Sequence, residues 1–231
     1  YLGNSSANMY EMSIKGLFEK LFGGQRVASS EEVQKPPPEW IIIGLGNPGA
    51  KYATTRHNVG YMASDLLFED LNTDATPLDY LRPVPGQNFC EARVLLGAHQ
   101  LAIIRSHTFM NESGEAIKAA SEYYGVPPEK IIVLHDELDI PHGRVRVKLG
   151  GNENGHNGLK STTAELGTRD YMRVRMGIGR PPQGQTVIDH VLSPIEQGEV
   201  TDALIAETVR AVKLLVTVGL QKAQHEIHTK K

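Results

Sequence analysis

The sequence predicts an α/β fold: a single domain on a mixed, largely parallel central sheet with helices on both faces, plus an N-terminal helical extension. Three observations lead there. From Trp40 onward, apolar runs of strand length alternate with segments of helical apolar period, the pattern of strands joined by helical crossovers. At 231 residues the chain is long enough for one domain with a substantial core. Residues 1–39 lack the alternation and carry Pro36, Pro37 and Pro38 just before Glu39, which favour extended backbone.

The elements follow in order. Ile14, Leu17, Phe18, Leu21 and Phe22 fall on one helical face, with Ser13 placed to cap that helix and Gly23 and Gly24 to end it. A polar, proline-bearing linker then leads to Trp40, so residues 1–39 are read as an extension and 40–231 as the α/β domain. Strands are expected at 40–45, 92–96, 101–105, 131–135, 144–148 and 172–178. Helices are expected near 59–71, 112–124, 157–166, 196–218 and 220–228. The long one should bury Leu204, Ile205, Val209, Val212 and Leu215 or Val216, and Gly219 should stop it. Two roles stay open for the first helix: docking on its own domain or a neighbour, or meeting a membrane surface or partner.

Composition excludes several classes. A net charge of −3 leaves no overall polycation, so any nucleic-acid surface must be local. The single cysteine, Cys90, has no internal disulfide partner and fits a reducing compartment. It sits in an apolar run, where a small buried residue is the commoner case than a nucleophile. No run approaches 18 apolar residues, so no membrane span is expected. Glutamates at 11, 19, 31, 32 and 39 argue against an acid-poor transit peptide. The chain starts without Met and is read as trimmed or processed.

Gly44, Gly46 and Gly49 have the spacing of a dinucleotide-binding loop. That loop requires a helix opening at the glycines, because the helix N-terminus holds the pyrophosphate. Here Pro48 sits inside the loop, and helical spacing returns only near Val59. The glycines read better as a turn at the carboxyl end of a strand, allowing close approach of a substrate chain. Asn47, Tyr52, Arg56, His57 and Asn58 then become the informative residues.

Other polar clusters also follow apolar strands: Thr108, Met110 and Asn111 after one, Asp136, Glu137 and Asp139 after another. In a parallel sheet these ends share an edge, so His57, Asn111 and Asp136 can converge. A further cluster supplies Asn154, His156 and Asn157 ahead of a helix. One imidazole near a carboxylate, several amides and no nucleophile-elbow serine suit attack by water on an acyl group. His57 would take the proton, and Asp136 would fix its tautomer and stabilise the imidazolium. Asn47, Asn111 and Asn157 would hold substrate or the developing oxyanion. His135, Asp136, Asp139 and His142 match no zinc spacing, so no metal is expected.

The stretches "GLGNPGAKYATTRHNVG", "TFMNESGEAI", "HDELDIPHGRVRVKLGG", "GHNGLKS" and "RVRMGIGRP", in this order over residues 41–194, resemble the bacterial-type peptidyl-tRNA hydrolase family. The likeness continues through the final helices to about residue 228. It implies cleavage of the ester between a peptide and the 3′ ribose of its tRNA, by a monomer that needs no metal or cofactor. On matching positions His57 resembles the base and Asp136 its orienting partner. Asn47, Asn111 and Asn157 resemble the amides that hold peptide and water, with Tyr52 and Met110 shaping the cleft. The implied partner is peptidyl-tRNA, no membrane is expected, and the implied location is the cytoplasm, with a mitochondrial one left open.

Charge supports the nucleic-acid half of this reading independently. Residues 141–180 hold eight basic and three acidic side chains, although the chain as a whole is acidic. Alternation at 144, 146 and 148, and at 173 and 175, puts cations on one face of each strand. With the resemblance, Lys148 and Arg175 become tRNA phosphate contacts, and Arg146 and Arg173 their neighbours. Some positions depart from the family. Asn152–Asn154 stands where relatives are glycine-rich, and asparagine tolerates φ > 0 better than most residues. His107 and His225 are also unusual, and His107 is given no role. The rival readings are a non-catalytic RNA-binding relative, expected to relax the His/Asp/Asn set, and the nicotinamide enzyme, which lacks its helix.

Overall fold

A computed structural model describes residues 36–72 and 81–229. The helix expected at 13–22 and most of the linker lie outside the described residues. The chain divides into Tyr1–Pro36 and Pro37–Lys231, and the described elements all belong to the second unit. In chain order they are β1 (Trp40–Gly44), α1 (Val59–Leu71), β2 (Arg82–Pro83), β3 (Phe89–Leu96), β4 (His99–Ser106), α2 (Ser113–Tyr124), β5 (Ile131–Glu137) and β6 (Val145–Leu149). Then follow α3 (Asn157–Leu166), β7 (Met172–Gly177), α4 (Val187–Leu192), α5 (Glu199–Val218) and α6 (Leu220–His228).

The strands form one sheet in the order β2-β3-β4-β1-β5-β7-β6. The four central strands, β4-β1-β5-β7, are parallel, and the outer pairings are antiparallel. The sheet is therefore mixed as expected, with its parallel part confined to the centre. Every residue of β1 and β5 is buried, as a strand covered on both faces requires. Alternation divides the core. Ile42, Ile132, Leu134, Val174 and Met176 pack with α1, α5 and α6, while Ile41, Ile43, Ile131 and Val133 pack with α2 and α3. Strand β1 lies between β4 and β5, so the chain leaves it toward one side and returns on the other. The carboxyl ends of β1 and β5 meet at this switch point, where an open α/β sheet leaves a crevice.

The opening glycines answer a packing demand. A methyl on Gly44 would overlap the Gly60 carbonyl, and one on Gly46 would strike the Tyr61 ring. The close approach expected at this turn is thus made at Gly44 and Gly46 by the protein's own helix α1. Gly49, with φ 102°, supplies the turn itself.

Element boundaries shift where local chemistry competes. α5 begins at Glu199 rather than 196, because Pro194 bridges Thr55 and Gly198, φ 136°, provides the break. It buries Leu204, Val209, Val212, Leu215 and Val216, with Ile205 half-buried, and stops at Gly219. The short helix α4 and the two-residue strand β2 were not expected from periodicity. Asn154 is the only described non-glycine residue with positive φ, 48°, so the turn survives replacement of a glycine as the sequence implied.

Candidate active site

His57 and Asp136 meet at the switch point. His57 lies in a one-turn 3-10 segment, Arg56–Asn58, at the foot of α1. Arg56, next to it, bonds Ser193 Oγ and Pro194 O and pairs with Glu196, pinning this turn to the segment between α4 and α5. Asp136 is the penultimate residue of β5, with a side chain only 2% exposed. His57 Nδ1 lies 2.8 Å from Asp136 Oδ1. The carboxylate accepts, so Nδ1 carries the hydrogen and Nε2 keeps its lone pair.

Electrostatics reinforce the pair. Burial pushes the Asp136 carboxyl up, but the attraction and hydrogen bonds of His57 and His156 outweigh it and hold it far below the usual carboxylate range. Burial disfavours charge on His57, yet Asp136 more than compensates and raises its pKa. His156 was not assigned a role from sequence, but its Nε2 reaches the same Oδ1 at 2.9 Å. Neighbouring His135 gives Nδ1–H to the Asp136 backbone carbonyl at 2.7 Å, and burial followed by His156 pushes its pKa well down.

His57, Asp136 and His156 also offer ligand atoms within 4.8 Å of one another. Separations of 2.8 and 2.9 Å are direct hydrogen bonds, shorter than the about 3.3 Å between ligands of a tetrahedral zinc. Protons account for the contacts within this trio.

A cavity of about 300 Å³ opens beside the pair. Leu138, Val187, Ile188 and Val191 give it an apolar wall, and Asn154, Gly155, His156 and Asn157 form another side. α4 supplies much of the apolar wall and was missed from sequence. Its signal was the cap at Thr186, whose Oγ1 accepts the Asp189 N–H at 3.1 Å. Asn157 opens α3 and faces the cavity. Asn47 is buried: its Oδ1 accepts the Met110 N–H and its backbone N–H donates to Asn58 Oδ1, both at 2.9 Å. Asn47 therefore ties the β1 turn to the β4 turn and seats Met110, which is buried. Asn111, adjacent, is exposed on the same turn. Tyr52 stands edge-on to Phe109 with centroids 6.4 Å apart.

The basic residues divide. β6 and β7 set Lys148 opposite Arg173 and Arg146 opposite Arg175, like-charge pairs that cost stability unless offset. Arg175 is offset by Glu137 at 3.0 Å. Burial, then Arg175 and Arg173, lower the Lys148 pKa. Arg146 bonds its neighbour's carbonyl at Val145. Arg173 corrects the sequence reading: it is fully buried and donates to the Asn152 and Gly151 carbonyls at 2.7 and 2.8 Å. The loop over residues 150–152 folds onto it, so its guanidinium is spent on holding that loop.

Fold and site together give an α/β sheet with an imidazole hydrogen-bonded to a buried carboxylate, beside a cleft that no serine lines among the described residues. The profile of the family described as peptidyl-tRNA hydrolase matches residues 41–231. "Peptidyl-tRNA hydrolase 2" of Corynebacterium glutamicum is 50% identical over 195 residues, covering 84% of this chain and 90% of the relative. A "Peptidyl-tRNA hydrolase" of Nocardia farcinica is 42% identical, covering 81% and 95%. The crystal structure of peptidyl-tRNA hydrolase from Acinetobacter baumannii superposes with a TM-score of 0.75 at 34% identity, covering 83% of this chain and 95% of that one. The chain belongs to the peptidyl-tRNA hydrolase family.

Proposed function

We infer that this chain hydrolyses peptidyl-tRNA at the ester joining the peptide to the terminal ribose, with His57 as general base and Asp136 as its orienting partner. The observation that carries the reading is the 2.8 Å His57–Asp136 bond at the edge of a cleft. His57 Nε2 takes a proton from water as the water oxygen bonds to the ester carbonyl carbon. The tetrahedral intermediate then expels the ribose 3′ oxygen, and the imidazolium returns the proton to it. Asp136 stabilises the imidazolium between those steps. Base assistance of this kind contributes about 10²–10⁴ in rate.

Asn47, Asn111 and Asn157 are assigned to peptide and oxyanion, and Tyr52 and Met110 to shaping the path of the peptide outside the cavity beside His57. Lys148 and Arg175, with Arg146 beside them, are assigned to tRNA phosphates. The like-charge pairs across β6 and β7 support this, since a strand pair without an anionic partner gains nothing from them. The same reading makes residues 40–231 the catalytic domain and 1–39 an appended segment, and makes the enzyme a cytoplasmic monomer. No helix among the described residues is long and apolar enough to cross a membrane.

Incubation with purified peptidyl-tRNA should release free peptide and tRNA without added metal or nucleotide. His57→Ala should lose at least about 100-fold in turnover and keep its tRNA affinity within twofold. Ester cleavage by that variant at the wild-type rate would overturn the assignment.

A further inference from the structure

Asp136 offers one oxygen to two imidazoles. Oδ1 lies 2.8 Å from His57 Nδ1 and 2.9 Å from His156 Nε2, and the two ring centroids are 4.9 Å apart. A third contact fixes the proton on the second bond. His156 is the N-cap of α3, and its Nδ1 accepts the backbone N–H of Leu159 at 3.3 Å. Nε2 therefore carries the hydrogen and gives it to Asp136. With its side chain 7% exposed, the ring is held at both ends, by a helix terminus and by the carboxylate.

We propose, on the reading of His57 as the base, that His156 is a positioning residue for hydrolysis: its Nε2–H divides the Asp136 charge between two imidazoles and so leaves His57 able to accept a proton near neutral pH. A buried carboxylate devoted to one imidazole stabilises the imidazolium strongly. Past a point this idles the base, because a group already protonated at the working pH takes nothing from water. A second donor on the same oxygen withdraws part of the charge that His57 feels.

The surroundings leave this division to His156. His135, on β5, spends its N–H on the Asp136 backbone carbonyl and has its ring centroid 5.2 Å from that of His156. Arg173, on β7, is turned to the 151–152 carbonyls. Glu137, also on β5, is taken by Arg175, and Arg56, beside His57, pairs with Glu196. Among the described residues Asp136 is the one carboxylate bonded to either ring.

Two substitutions separate the ring's two bonds. His156→Asn keeps an acceptor where Nδ1 caps Leu159 and removes the donor to Asp136. His156→Gln places an amide N–H near the position of Nε2 and gives up the cap. In His156→Asn the acidic limb of the kcat/KM profile for peptidyl-tRNA should move to higher pH by about half a unit to one unit, with KM on the plateau within about twofold of wild type. In His156→Gln the limb should return to its wild-type position, although the protein melts earlier. A limb unmoved in His156→Asn, or moved equally in both variants, overturns the proposal. The unaltered enzyme supplies a test independent of folding: ¹⁵N shifts must show His156 as the Nε2–H tautomer, and an Nδ1–H tautomer defeats the idea. His57→Ala, assayed in parallel, tells the two failures apart. Retained turnover there condemns the base assignment, whereas lost turnover with an unmoved His156→Asn limb condemns only the role of His156.

Discussion

Lys148 and Arg173 face each other across two strands, yet their side chains lead different lives. Alternation in the sequence puts each on one face of its own strand, but it carries no information about how the strands pair or about a loop folding over half of the shared face. The consequence is measurable. Arg173→Ala removes two charge-assisted bonds and strands two loop carbonyls, so it should cost about 2–4 kcal/mol in chemical denaturation. Lys148→Ala should leave stability within about 0.5 kcal/mol and weaken tRNA binding, lowering the salt slope by about one. Equal effects of the two variants on that slope would show that Arg173 reaches phosphate after all. His156 was hidden for a related reason. Its motif placed it beside Asn157, but only the fold brings a helix cap within 2.9 Å of Asp136.

Among the elements, α6 does the work of a missing strand. β6 is the sheet edge, and unpaired edge groups invite association. Val147 turns its backbone outward, where its N–H donates to His228 Nε2 at 3.0 Å and its carbonyl accepts from Gln224 Nε2 at 3.2 Å. The first bond needs a neutral imidazole. Burial, followed by Arg146 and with a smaller push from Arg175, lowers the His228 pKa. A histidine lowered on folding adds stability that is fully present above its unfolded value near 6.5 and is lost as pH falls through the folded one. His57 is raised, so its contribution runs the other way, present at low pH and lost as pH rises. Replacing His228 by Gln keeps an acceptor that does not titrate. The melting temperature of His228→Gln should therefore fall less than that of wild type between about pH 7 and pH 5, and parallel curves would mean that His228 does not govern this edge. Periodicity found α6 and the other long helices because they bury one stripe. It missed α4, whose six residues are too few to show a period and whose Val187 and Ile188 face the cleft instead of the core.

For the whole molecule, charge is distributed by the fold and not by the count. The sequence read residues 141–180 as a basic tract, and the strands within it do share a face. Several of its cations are nonetheless spoken for: Arg169 by Glu153, Arg180 by Asp139, Arg175 by Glu137, and Arg173 by the loop. Lys148 and Lys160 have no ion pair among the described residues. An acidic chain with a basic tract of this kind should steer tRNA through few contacts. Each phosphate neutralised adds about 0.7–0.9 to the slope of log affinity against log salt. Contacts from Lys148, Arg175 and Arg146 predict a slope of roughly −2 to −3, where eight engaged cations would give roughly −6 to −7. Titrating tRNA affinity between about 50 and 200 mM salt distinguishes the two. The shallow slope would mean that Glu153 and Asp139 stay closed on Arg169 and Arg180 in the complex. The steep one would mean that phosphates displace Glu153 and Asp139, so that substrate binding rearranges the cleft's own ion pairs.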